Sequence, residues 1–326
     1  MTTIPLRVKK GDGYEDIPFK MLDPHILFHH LVTTVGLRIP TVCCKEFWEF
    51  KRNVAREEWA IRSPASAEHV PISLYVDGVR LYNNGDPTKM YGIWVSIPLW
   101  RPRSARCSRW CIAAIESTKL YGTLTLDTIL ERVAYSLNLL FHGRDETGAE
   151  ICDKQVFCLT ELKGDWEWHK LVFQFQASWV SKSHVCFKCE AQARSDDPDA
   201  LFYNLDGRWR PYDLVTFLEQ QLGRRRRTCC LEASVNAFLV ARGPLVLIHG
   251  FHPQMLEICS MHTLNLGIAF NMNGASMSLA QHLSGASVWW QRFFFFFFFK
   301  KMLQGPPAPH QVLYRRDVGS GLRRSL

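Results

Sequence analysis

The sequence predicts a mixed α/β fold: three strands joined by short turns, a long helix, then a fourth strand and a second helix. Three observations predict it. Ile72, Leu74 and Val76 alternate with Ser73, Tyr75 and Asp77, the period of a half-buried strand. The turn signal Asn83-Asn84-Gly85-Asp86-Pro87 separates that run from a second, aromatic and β-branched one, Tyr91 to Leu99. The period then changes, and Leu126, Ile129, Leu130, Val133, Leu137, Leu140 and Phe141 recur at helical spacing.

Residues 1–68 read as a mixed, partly helical lead-in. The run from Pro24 to Val35 is apolar, and Phe47, Phe50, Val54 and Trp59 recur at the spacing of an amphipathic helix. Lys45, Lys51, Arg52 and Arg56 then form one basic face, either solvated or in contact with phosphate. Residues 69–182 hold the core. After a basic loop (Arg101, Arg103, Arg106, Arg109), Trp110 to Ile115 is a third strand. Thr125 or Asp127 can cap the long helix, and Gly143 ends it. Val156 to Leu162 is a fourth strand, and Trp166 to Phe175 continues as a helix. A helix that crosses over to this strand brings it parallel to the first or near it.

Beyond the core the pattern loosens. Residues 183–250 read as a Cys-containing insertion, with a helix over Pro211–Leu222 and a basic run at Arg224–Arg227. Residues 251–284 read as a remnant of a helical C-terminal part of the core, which is truncated. Residues 285–326, with seven consecutive phenylalanines from Phe293 to Phe299, read as a disordered low-complexity tail.

Composition bounds the function. The 326 residues are 47% hydrophobic and 13% aromatic, enough to bury a core and to exclude disorder of the whole chain. A net charge of +8 permits a nucleic-acid partner without requiring one. Eleven scattered cysteines do not make a disulfide scaffold, Met1–Asp12 lacks the apolar run of a signal peptide, and no stretch approaches the ~20 apolar residues that cross a bilayer. The expectation is a nuclear or cytoplasmic protein, not secreted, with no membrane role and no evident small-molecule substrate, its thiols free or metal-bound.

Two acids stand where strands end. Asp77 closes the alternating run, and Asp165 follows the fourth strand in Glu161-Leu-Lys-Gly-Asp165-Trp-Glu-Trp. If the first and fourth strands are neighbours, the two carboxylates meet and bind Mg²⁺ or Mn²⁺, hard ions that prefer oxygen. Two such ions stabilise the attacking and leaving oxygens of a phosphodiester displacement. Taken singly, each aspartate beside a glycine also has a plain reading as turn chemistry. Cys186-Phe-Lys-Cys189 and Cys259-Ser-Met-His262 offer four zinc ligands with knuckle spacing inside each pair. His184 and Cys229-Cys230 compete for that role, and buried free cysteines are common. The aromatic block from Trp166 to Trp179 reads as helix core or as a surface for base stacking. The His249-Gly250 turn resembles one in α/β-hydrolases, but no nucleophile elbow follows it.

The order of elements is that of an RNase H-like mixed sheet with flanking helices. The segments Pro71-Ile-Ser-Leu-Tyr-Val-Asp77-Gly-Val, Glu161-Leu-Lys-Gly-Asp165-Trp-Glu-Trp, Cys186-x-x-Cys189 and Met261-His262-Thr-Leu-Asn-Leu-Gly267 resemble a large transposon-derived family abundant in dinoflagellate genomes. More distantly they resemble the DDE transposases of the CACTA and hAT types. The resemblance runs from about Pro71 to Gly274. It implies that Asp77 and Asp165 match the first two catalytic acids, that Cys186 and Cys189 belong to the insertion, and that Cys259 and His262 match the element before the last acid. That last acid, a glutamate on a C-terminal helix, is missing: after Glu257 no glutamate follows, and Asp317 in the tail is the only acid. The expected function is a degenerate or domesticated transposase-like protein that binds DNA without cutting it. The alternative is a zinc-stapled structural or interaction protein with no nucleic-acid role.

Overall fold

Alternation along the strand Val70–Arg80 sends Ile72, Leu74 and Val76 into a fully buried layer, while Tyr75 and Asp77 on the other side stay partly exposed. The computed structural model describes residues 1–80, 88–102, 104, 107–173, 186, 188–191, 210–218 and 243–258. All of them lie in one compact unit, Met1–Cys259.

The chain opens with a hairpin that sequence reasoning missed, β1 (Thr2–Lys10) antiparallel to β2 (Gly13–Met21). Three helical segments follow: α1 (Pro24–Thr33), α2 (Thr41–Glu49), which widens into a single π turn at Phe50–Val54, and α3 (Glu58–Arg62). The sheet then forms from β3 (Val70–Arg80), β4 (Lys89–Ser96) and β5 (Arg109–Glu116), an antiparallel meander. The long helix α4 (Leu124–His142) crosses back to β6 (Phe157–Gly164), followed by α5 (Trp166–Phe173) and the short β7 (Leu256–Ile258). Spatial order is β5-β4-β3-β6-β7, with β3–β6 and β6–β7 parallel. The expected mixed sheet, crossover helix and parallel fourth strand are therefore present. Among the described residues no helix is long and apolar enough to cross a membrane.

Several expectations need correction. The lead-in is not separate from the core: Leu6, Val8, Met21 and Phe28 pack in the same cluster as Ile72, Leu74, Val76, Ile129 and Val133. Its basic face is partly internal. Arg52 lies over the Trp48 ring and donates to the carbonyls of Ala60 (2.9 Å) and Ala65 (2.6 Å), and Lys51 pairs with Glu57 at 2.7 Å. Phe50 and Val54, expected inside, are exposed, because the π turn carries more residues per turn than 3.6 and rotates the apolar stripe away from the core. Trp48 takes the buried place instead.

Neither Thr125 nor Asp127 caps α4. The N-cap residue is Thr123, and Thr125 is a buried link whose hydroxyl donates to the carbonyl of Arg7 (2.6 Å) and accepts from the amide of Tyr121 (2.8 Å). Gly143 does end the helix, in the left-handed conformation at φ 64°. Residues 251–258, expected to begin a helical remnant, give one 3₁₀ turn (Pro253–Met255) and then β7. Over Pro211–Leu222 the described helical residues are 214–218, capped by Asp213, whose carboxylate accepts from the amide of Thr216 at 2.8 Å.

Asp23 holds three elements together. It is fully buried between β2 and α1, and accepts from the hydroxyl of Thr2 at 2.7 Å. The guanidinium of Arg132, on α4, donates to both of its oxygens, with Nε at 3.1 Å from each. The same guanidinium reaches Glu146 at 2.9 Å.

Candidate metal centre

Asp77 is positioned by the ladders on both sides of β3. It pairs with Gly92 on β4, and Tyr75, two residues earlier and on the same side, pairs with Trp94. The phenol of Tyr75 donates to Asp77 Oδ2 at 2.6 Å, while its ring packs at 5.8 Å from that of Trp94 and lies under the guanidinium of Arg109. One oxygen of the carboxylate is thus held from its own strand.

On the other side, β3 pairs in parallel with β6. The ladder runs through Ser73–Glu161 and Leu74–Leu162 to Tyr75–Lys163, after a register shift between Ile72 and Ser73. That shift gives β6 one extra residue, which turns Glu161 and Lys163 to the same side as Ser73 and Tyr75. Asp77 and Asp165 each lie two residues beyond the final couple, Tyr75–Lys163.

Asp165 stands in the turn from β6 into α5. Its Oδ1 accepts from the amide of Trp168 at 2.6 Å, and its carbonyl accepts from the amide of His169 at 3.1 Å. It is the N-cap of α5, so one of its two oxygens already serves the helix. The turn needs Gly164: a Cβ there would stand 2.4 Å from Cδ1 of the buried Trp168. The plain structural reading of Gly164-Asp165 is therefore part of the answer.

Ion pairs stand on both faces of the sheet near these strand ends, that of Lys163 on the Tyr75 side and that of Lys89 on the Gly78 side. Lys163 bonds Glu161 at 2.6 Å and faces Glu257 of β7 at 3.7 Å, opposite it in the β6–β7 ladder. Lys89 bonds Glu167 at 2.8 Å. That bond, outweighing partial desolvation and joined by the negative charges of Glu167, Tyr91 and Asp165, raises the Lys89 pKa. Among the described residues no three His, Cys, Asp or Glu side chains converge to hold one ion.

Sequence reasoning missed His169. It is fully buried, its Nε2 lies 3.0 Å from the carbonyl of Glu257, and burial pushes its pKa down to about 4 against a smaller upward pull from that carbonyl. In the unfolded chain the ring titrates near 6.5. The unfolded state thus binds the extra proton first: stability is full above about pH 6.5 and falls as the pH drops towards 4, by on the order of 3 kcal/mol. Burial also lowers the pKa of His25, His69 and His252, so the same loss recurs at those sites. Denaturant titrations at pH 7 and pH 4.5 are expected to show this drop, and His169→Gln is expected to reduce it while the share of His25, His69 and His252 stays.

Cys186 and Cys189 are described and half-buried; Cys259 and His262, the other two expected zinc ligands, lie outside the described residues. So do His184 and Cys229-Cys230. The Cys186–Cys189 turn is pinned from two directions. Glu190 N–H donates to Arg210 O at 3.0 Å and Tyr212 N–H to Lys188 O at 2.8 Å, while the Lys188 ammonium reaches the carbonyl of Gln254 at 3.1 Å, just before β7.

No protein-family model matches this chain, and neither does any curated protein or solved structure. The functional reading therefore rests on the geometry of the chain itself.

Proposed function

We propose that the chain carries an RNase H-like domain descended from a DDE transposase, one that still binds DNA and no longer cuts it. The observation that carries this reading is the parallel β3–β6 ladder, whose last couple precedes both Asp77 and Asp165 by two residues. Both aspartates therefore follow the same end of this ladder, Asp77 within β3 and Asp165 in the turn after β6. A hard divalent ion, Mg²⁺ or Mn²⁺, fits a pair of carboxylates there. When bound, it would polarise a phosphodiester oxygen.

The same residues argue against cleavage. One oxygen of Asp165 caps α5, and Glu257 on β7 faces Lys163. The sequence after Glu257 offers no glutamate. Two carboxylates hold a single ion weakly, whereas in-line displacement needs two ions held in register. The net charge of +8 and the Arg109 guanidinium over Tyr75, beside Asp77, favour a polyanion.

The test is direct. The purified protein is expected to bind duplex DNA with an affinity that falls steeply with salt, and to leave supercoiled plasmid un-nicked in Mg²⁺ or Mn²⁺. Salt-insensitive binding, or none, removes the DNA role. Nicking that disappears in Asp77→Asn removes the claim of lost cleavage.

A further inference from the structure

We propose that the water-facing side of the sheet around Trp94 is a stacking platform for single-stranded DNA, with Trp94 as the residue on which a base lies. This rests on the DNA reading and names the form of DNA that the face takes.

Alternation divides the sheet into two faces. Ile72, Leu74 and Val76 point into the core. Tyr75 and Asp77 of β3 stand on the other face, where the ladders set Trp94 of β4 opposite Tyr75 and Cys111 of β5 opposite Trp94. Gly92 lies between Asp77 on one side and Ala114 on the other. Tyr75, Asp77 and Trp94 are partly exposed, and Cys111 and Ala114 are exposed, so this part of the sheet reaches water.

One indole dominates the face. Gly92 stands two residues before Trp94 on the same side of β4. The six-membered ring of the indole fills the space that a Cβ would take there: such a Cβ would stand 2.0 Å from Cη2 and 2.4 Å from Cζ2. The ring therefore lies back along the strand, over the main chain of Gly92. Its centroid is 5.8 Å from that of Tyr75 with the planes at 41°, so the two rings do not stack on each other. An indole seated on a central strand is ordered before a ligand arrives, which lowers the entropic cost of binding. It offers a π-face to any base, whatever its hydrogen-bonding pattern.

Charge selects the ligand. From Met90 to Ile115, through β4, its connection to β5 and most of β5, the chain carries Arg101, Arg103, Arg106 and Arg109 and no acid. Arg109 is exposed, pairs with Ser96 in the β4–β5 ladder, and holds its guanidinium 5.5 Å from the Tyr75 ring centroid. Asp77 is the only acid of β3 and accepts from the Tyr75 phenol at 2.6 Å. Phosphates are therefore expected on the Arg109 side of Trp94, away from Asp77. Aromatic faces beside arginines suit a single strand, whose bases are free to stack on protein while its phosphates pair with cations. A duplex keeps its base faces against one another and cannot use the indole in this way.

The experiment uses the full chain and a fluorescently labelled oligothymidylate of about 12 nucleotides, with its duplex with oligoadenylate beside it, both read by anisotropy. The native chain is expected to bind the single strand. Trp94→Ala is expected to weaken that binding about 5- to 150-fold, the ratio that corresponds to one lost stacked base, and to leave duplex affinity unchanged. Trp94→Phe keeps a ring and is expected to restore most of the affinity, which separates a lost platform from failed folding. Arg109→Ala is expected to lower the slope of log affinity against log salt by about 0.7, one phosphate contact on a single strand. On the native chain, 5-iododeoxyuridine within the oligonucleotide is expected to photocrosslink to the peptide that carries Trp94. Duplex binding without single-strand binding, equal single-strand binding by the native chain and Trp94→Ala, or crosslinks confined to other peptides overturns the platform and leaves the DNA reading in place. Binding of neither form overturns both.

Discussion

Arg132→Met is expected to destabilise the protein by about 3–5 kcal/mol at neutral pH, read from denaturant unfolding. The reason is what it leaves behind. Asp23 is fully buried, and the Arg132 guanidinium supplies most of its hydrogen bonds. Methionine fills a similar volume but leaves a carboxylate away from water with only the Thr2 hydroxyl as partner. The pH dependence carries a signature. Desolvation pushes the Asp23 pKa up, but the bonds from Arg132 and Thr2 and the charge of Arg132 outweigh it and hold the carboxyl below its ordinary value of 3.8. A carboxyl depressed in the folded state contributes stability above that ordinary value and loses it as the pH falls through the folded pKa. In the variant burial is opposed chiefly by the Thr2 hydroxyl, so protonation of Asp23 relieves much of the cost of the buried charge. The gap between native and variant stabilities therefore narrows in acid. Adding Asp23→Asn to Arg132→Met is expected to recover part of the loss at neutral pH, as a double-mutant cycle can measure.

Trp48→Ala is expected to cost a similar amount, about 3–5 kcal/mol, and to move the whole unfolding transition. Trp48 is fully buried in a second cluster with Trp59, Ala60, Ala65, Cys158 of β6 and Met255. Its indole N–H donates to the carbonyl of His69 at 2.8 Å, at the entry to β3. Truncation opens a cavity and strands that carbonyl. Far-ultraviolet circular dichroism and tryptophan fluorescence are expected to shift together. A sheet transition left in place would mean that residues 1–68 fold as a separate body.

The sheet was legible because its signals are local. Ile72, Leu74 and Val76 report one buried side of β3, and the apolar spacing from Leu126 to Phe141 reports the buried stripe of α4. The N-terminal hairpin was not, although Ile4, Leu6 and Val8 alternate: Pro5 and Pro18 stand opposite each other inside it, and proline argues against a strand. The apolar stripe after α2 misled because one π turn changes the angular step per residue. At the candidate site, Asp165 could be picked out as the residue after a strand, whereas Asp77, expected to close its strand, lies inside it, since β3 stays paired with β4 as far as Arg80. The capping role of Asp165 could not, since it depends on where the Trp168 amide points. Nor could His169, a lone histidine in an aromatic helix whose meaning comes from burial against β7. Cys186 and Cys189 were visible as a spacing; the Lys188 amide aimed at the Cys186 sulfur appears only once the backbone is folded.

The place of β7 bears on how the chain is made. β3, β4, β5, α4 and β6 are all synthesised by Gly164; β3–β4 and β4–β5 link neighbours in sequence, and β3–β6 closes over β4, β5 and α4. β7, the last strand among the described residues, is three residues long and arrives only at Leu256. Until the ribosome has delivered it, the outer flank of β6 keeps unpaired amides and carbonyls, an invitation to another chain. A chaperone that shields that flank until Leu256–Ile258 is made is expected to raise the yield of folded chain.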